Sequence, residues 1–215
     1  MAMEQTARDR FSQFFDDERL VDRVVSTSGA IRMMCSKPDA AMDILDRLFE
    51  WFDDKLIVSR LLSTNGLIGH NLCHPQAAMD ILERLFDLFG DKDLIVRFLS
   101  HTGIIGKLLS DTTKSLKGVD LLVKKIGPVS ASTVLCRNSN FMVPYLEDSE
   151  VVEKALNELL DHFQNDKAGC QAALTGGISK IGFLKQYMEN RDAALRSLLP
   201  VKRRLAAEKL PRTEE

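Results

Sequence analysis

The sequence predicts an all-α chain built as an array of helical repeats, and three observations carry that prediction. A residue pattern returns every 37 residues, without a gap, five times along the 215-residue chain. Within each copy the apolar residues recur at helical spacing. Six Pro and twelve Gly are present, and β-branched runs are few. A fixed period in this range marks a stacked repeat array, in which each copy buries its apolar face against its neighbours and the array offers an extended surface for binding.

The period is clearest in two blocks. Pro38-Asp39-Ala40-Ala41-Met42-Asp43-Ile44-Leu45-Asp46-Arg47-Leu48-Phe49 returns as Pro75-Gln76-Ala77-Ala78-Met79-Asp80-Ile81-Leu82-Glu83-Arg84-Leu85-Phe86. Between them Ser26-Thr27-Ser28-Gly29-Ala30-Ile31 becomes Ser63-Thr64-Asn65-Gly66-Leu67-Ile68 and then Ser100-His101-Thr102-Gly103-Ile104-Ile105. Two fainter copies keep the register at Arg137 to Met142 and Leu174 to Ser179. The repeat units are therefore about 1–37, 38–74, 75–111, 112–148 and 149–185, followed by a capping helix that ends near residue 199.

The elements follow in order. The first unit starts the array, with Phe11, Phe14 and Phe15 expected in its long helix and Leu20 to Val25 in its second. Pro38 suits the first turn of the next long helix, where its missing N–H costs nothing. Ala41, Ile44, Leu45, Leu48, Phe49 and Phe52 then form one apolar stripe, opposite Asp43, Asp46, Arg47 and Glu50. Asp53-Asp54 ends this helix and caps a shorter one from Lys55 to Ser63. Asn65-Gly66 is expected to break that helix, and a third runs from Leu67 to about Cys73. Later copies read Ser115 to Ile126, Val129 to Cys136 and Phe141 to Leu146, then Val151 to Phe163, Ala168 to Leu174 and Ile178 to Tyr187. The last long helix, near Ala193 to Leu199, has Asp192, Arg196 and Ser197 at registers that are apolar elsewhere, as expected of a terminal cap whose outer face meets water. Residues 200–215 read as a basic terminal helix, Val201 to Lys209, and a frayed tail.

Composition narrows the function classes. The net charge is −2 and the pI about 6.1, without the basic excess usual in nucleic-acid binders. The polar, charged Met1 to Arg10 stretch predicts no signal peptide. No apolar run approaches the roughly 18 residues that a bilayer span needs. Cytoplasmic residence is expected, or delivery into a host cytosol if the chain is a secreted effector. Four cysteines, Cys35, Cys73, Cys136 and Cys170, sit about one to a repeat and read as small buried hydrophobes in a reducing compartment.

A long helix, a short helix with a Gly turn and a short apolar helix together resemble the armadillo repeat. The segment Ile57-Val58-Ser59-Arg60-Leu61-Leu62-Ser63-Thr64-Asn65-Gly66-Leu67-Ile68 carries the resemblance, which covers residues 1 to about 199. It implies a right-handed α-solenoid of about five three-helix armadillo-like repeats with a C-terminal helical cap, the long helices lining a groove. The 37-residue period is shorter than the family's usual 40 or so. The groove columns that carry Trp and Asn in peptide-binding armadillo proteins match Arg47, Arg84, Leu121 and Glu158, and Trp51, Leu88, Lys125 and His162. Trp51 falls in the Asn column and no Asn ladder exists, which argues against binding of nuclear-localisation peptides in the usual way. Transcription activator-like effectors and HEAT-like DNA glycosylases share the helix order, but their resemblance implies a basic groove against phosphate. Here the corresponding columns run Asp43, Asp80, Lys117, Lys154 and Glu50, Asp87, Lys124, Asp161.

The expected function is a non-enzymatic protein-binding module, an adaptor, inhibitor or effector that holds a partner with a basic segment along its long-helix face. The candidate binding residues are Asp43, Arg47, Glu50, Trp51, Asp80, Arg84 and Asp87. With Asp46 and Glu83 they form a carboxylate-rich surface, suited either to docking or to an ordinary solvated face with i,i+4 pairs Asp43–Arg47 and Asp80–Arg84. Trp51 reads as a binding hot spot or as the edge of the core. The alternative function is a nucleic-acid-binding superhelix using Lys117, Lys124, Lys125, Lys154 and Lys202-Arg203-Arg204. His70, Cys73 and His74 lack the further ligands of a metal site, so no metal or cofactor is expected. No Ser-His-Asp order or phosphate loop points to catalysis.

Overall fold

Apolar residues at 3.6-residue spacing, broken by Asp, Gly and Pro, fold most of the described residues into helices. The structure is a computed structural model that describes residues 2–26, 28–63, 67–70, 75–99, 102–137, 139–175 and 182–208, and no strand occurs among them. Contacts gather the chain into two units, Met1–Ser110 and Asp111–Glu215.

The first unit holds α1 (Ala2–Phe11), α2 (Glu18–Val25), α3 (Ser28–Ser36), α4 (Pro38–Phe52), α5 (Lys55–Leu62), α6 (Leu67–His70), α7 (Pro75–Phe89), α8 (Lys92–Leu99) and α9 (Thr102–Ser110). The second holds α10 (Thr112–Ile126), α11 (Pro128–Arg137), α12 (Ser139–Glu147), α13 (Ser149–His162), α14 (Lys167–Thr175), α15 (Phe183–Glu189), α16 (Arg191–Ser197) and α17 (Leu199–Glu208).

Within each unit the buried side chains keep the 37-residue register. Phe11, Leu48 and Leu85 in the first unit, and Leu122 and Leu159 in the second, are all fully buried. So are Phe15, Phe52 and Phe89, then Ile126 and Phe163, to within a few per cent. The next steps of these two columns are Arg196 and Pro200, both exposed, and Asp192 is exposed where Ile44 and Ile81 are buried. Each buried Leu or Phe contributes about 1.5–3 kcal/mol.

The helix ends repeat as well. Asp17, Asp54 and Asp91 stand 37 residues apart, and each accepts backbone N–H groups from the first turn of α2, α5 and α8. α4, α7 and α10 end on positive φ at Asp53 (46°), Gly90 (63°) and Gly127 (83°), and Gln164 (54°), 37 residues further on, lies one residue past the Phe163 cap of α13. A left-handed residue turns the chain at the helix end so that the next helix can pack back.

Two expectations need correction. α1 stops at Phe11, and Phe14 and Phe15 follow in the turn, where both rings pack on Phe49 of α4 at 5.8 and 5.5 Å. Cys35 is half-buried rather than buried, its thiol against the Met3 carbonyl at 3.2 Å, whereas Cys136 and Cys170 are buried. Asn65-Gly66, Cys73, His74, His101 and Ile178 lie outside the described residues.

Candidate functional site

The two near-identical long helices, α4 and α7, place the predicted residues. α4 buries Ala41, Ile44, Leu45, Leu48 and Phe52. Helical geometry then turns Asp43, Asp46 and Glu50 outward, and all three are exposed. α7 buries Ala78, Ile81, Leu82, Leu85 and Phe89, and exposes Asp80, Glu83, Arg84 and Asp87. All seven candidate residues are exposed or half-buried on these two helices.

Aromatic packing joins α4 to α7. The Phe86 ring lies 5.3 Å from Trp51 and 5.6 Å from Phe52, both tilted. Such pairs contribute about 0.5–1.5 kcal/mol beyond their area. Trp51 is half-buried in this junction, so it lines the core edge while keeping one side at the surface. The Arg47 guanidinium lies over the Trp51 ring, 5.1 Å from its centre, and forms an ion pair with Glu83.

The i,i+4 pairs expected of a solvated face are therefore not the ones that form. Arg47 reaches across to Glu83, and Arg84 pairs with Asp87 at 3.4 Å. Asp80 instead accepts from Gln76 at 2.9 Å. The reason is the repeat itself: the 37-residue equivalent of Arg47 is Arg84, a like charge, and Glu83 one position back is the nearest complement. Asp43, Asp46 and Glu50 enter no ion pair among the described residues. Two arginines thus offset two of six carboxylates, and exposed pairs of this kind contribute about 0–1 kcal/mol each.

The same columns in the second unit look different. Lys117, Lys124 and Lys154 are exposed, Lys124 pairs with Asp120 at 2.7 Å, and half-buried Lys125 donates to Asn157 at 2.6 Å. Glu158 of α13 binds Arg191 of α16 through Nε at 2.9 Å. Partial burial works against the Glu158 charge, but Arg191 outweighs it and holds the carboxyl below its ordinary pKa. Burial and the Glu158 carboxylate push Tyr187 up; its hydroxyl is buried beside that pair without a hydrogen bond of good geometry. This polar group around α13 was not read from the sequence. Glu158–Arg191 spans 33 residues and falls outside the repeat register, so no column pointed to it.

No group of three or more metal-ligating side chains occurs among the described residues, and none of the described helices is long and apolar enough to cross a membrane. The chain matches no family model, no curated protein and no solved structure.

Proposed function

We propose that this chain is an armadillo-like helical-repeat protein that binds a partner protein through the outward face of α4 and α7. The observation that supports it most is the set of six exposed carboxylates, Asp43, Asp46, Glu50, Asp80, Glu83 and Asp87, on two helices of near-identical sequence. Arg47 and Arg84 neutralise only part of it. Trp51, braced by Phe86 and Arg47, adds a rigid apolar surface of the kind enriched at binding hot spots. A basic, extended or helical segment of a partner complements this face, and charge complementarity supplies steering and register. The protein acts as an adaptor or inhibitor and performs no chemistry of its own.

The test is affinity capture from nuclease-treated cell extract, with the wild-type chain beside an Asp43→Lys/Glu50→Lys/Asp87→Lys variant. A protein recovered by the wild type and lost by the variant supports the reading. Equal recovery by both baits removes the site from this face. Capture of nucleic acid alone before nuclease treatment, and of nothing after it, replaces the reading with the lysine columns of the second unit.

A further inference from the structure

We propose that His162 and Lys202 form an acid-sensitive latch that holds the terminal basic helix α17 to the end of α13. His162 is the last residue of α13, so its carbonyl has no donor from within the helix. Lys202 of α17 supplies one, with Nζ donating to that oxygen at 3.3 Å. The contact also sets an ammonium at the negative end of the helix dipole. The imidazole sits at the same spot, edge-on to Phe163 at 5.3 Å, and its Nε2 is buried without a hydrogen-bond partner among the described residues. Val201 of α17 is buried and Leu205 half-buried, Arg203 faces solvent, and the helix also packs against α14 and α16.

Protonation of the ring puts a second cation at a helix end that already holds one. The imidazolium then serves the dipole itself and repels the Lys202 ammonium, so the Lys202 contact is lost and α17 is held by its packing alone. Lys202 is the charge that bears on the ring, while Asp166, in the turn after α13, caps α14 through the Ala168 N–H. On α13 itself, Glu158 is taken by Arg191 of α16, and Asp161 is exposed. Lys125 of α10 is bonded to Asn157, and the Lys167 ammonium of α14 lies beside Gly127. Glu147 ends α12 at the opposite end of α13, and the charged residues of α15, Lys185 and Glu189, are exposed. Burial first, and the Lys202 charge second, lower the His162 pKa from its ordinary value. The neutral ring is therefore the form the closed latch accepts, and the latch opens as pH falls below the ordinary histidine range.

Hydrogen exchange on the full chain tests this, read as protection factors so that the intrinsic pH dependence cancels. Between about pH 7.5 and pH 4.5, a range that reaches below the ordinary histidine titration, the α17 amides of the wild type should lose protection severalfold while α10 and α13 keep theirs. His162→Gln should hold α17 protection constant across the same range. A wild-type α17 that stays protected while the ring titrates would overturn the latch, and so would an equal loss in His162→Gln. A second readout does not depend on that variant: in Lys202→Met the His162 ring, followed by its proton resonances, should titrate at higher pH than in the wild type. An unchanged titration would also overturn the proposal.

Discussion

The long-helix pair α4/α7 of the first unit and the pair α10/α13 of the second occupy the same repeat columns, yet differ almost everywhere except at their buried centre. Leu48 and Leu85 match Leu122 and Leu159, all fully buried. One turn away, Ile44 and Ile81 give way to Gly118 and Ala155. The lost volume is recovered from another helix, because the Tyr145 ring of α12 lies against Gly118 so closely that a Cβ there would be 2.7 Å from Cδ1. The helix starts differ too: α4 opens on Pro38, whereas Asp111 and Asp148 cap α10 and α13 through the N–H groups of Lys114 and Val151. Outside, three of the six carboxylate positions carry Lys117, Lys124 and Lys154, while Asp120 and Asp161 stay acidic and Asn157 is neutral. A repeat needs a filled core and a satisfied helix end. It reaches both by more than one route, and the outer face is left free to take its own charge.

The comparison can be broken first at the shared centre. Leu85→Asp and Leu122→Asp should each abolish cooperative unfolding followed by circular dichroism, because an unpaired buried charge is not tolerated. Alanine at either position should cost about 2–5 kcal/mol in denaturant titrations. A soluble, cooperative, fully helical Leu85→Asp protein would contradict the register.

Next is the place where volume has moved between helices. Gly118→Ala should cost about 1–3 kcal/mol through overpacking against Tyr145. In a double-mutant cycle, Tyr145→Leu should recover part of that loss, whereas Tyr145→Leu alone should destabilise. Additive effects would mean that the ring does not fill the glycine's space.

The helix ends come third. Asp148→Ala should cost about 0.5–2 kcal/mol as a lost N-cap. At the other end, Gly90→Ala should destabilise and Asp53→Gly stabilise, each by about 1 kcal/mol or less, since both positions have positive φ. Equal and opposite thermal shifts would show that the left-handed turn is a property of the repeat and not of the residue.

The smallest effect concerns Glu158. Its folded-state pKa is lowered, so the stability it contributes is present above the ordinary glutamate pKa and is lost as pH falls through the lowered value. Arg191→Met should remove that part of the acid dependence. An acid-unfolding curve of unchanged shape would show that the pair contributes nothing measurable.

The helix order, the buried columns and the exposure of Asp43, Glu50, Asp80, Arg84 and Asp87 were legible because each follows from spacing along one helix. The contacts between helices were not. Arg47 passes over its own helix for Glu83, and Lys202 finds His162 40 residues away, outside the 37-residue register. Both depend on the rotation of one helix against another, which periodicity does not contain. The end of α1 at Phe11 was hidden for a related reason. Phe14 and Phe15 keep the apolar spacing of a helix, but their partner is Phe49 on α4, which they meet from a turn.

The proposed docking face is tested most directly by measuring the affinity of the captured partner for two charge-reversed chains. One carries Asp43→Lys/Glu50→Lys/Asp87→Lys, and the other carries Lys117→Glu/Lys124→Glu/Lys154→Glu in the matching columns. Loss of binding in the first and retention in the second, with wild-type affinity that weakens as salt rises, is the predicted result. Retention in the first and loss in the second would contradict the assignment of the face to α4 and α7.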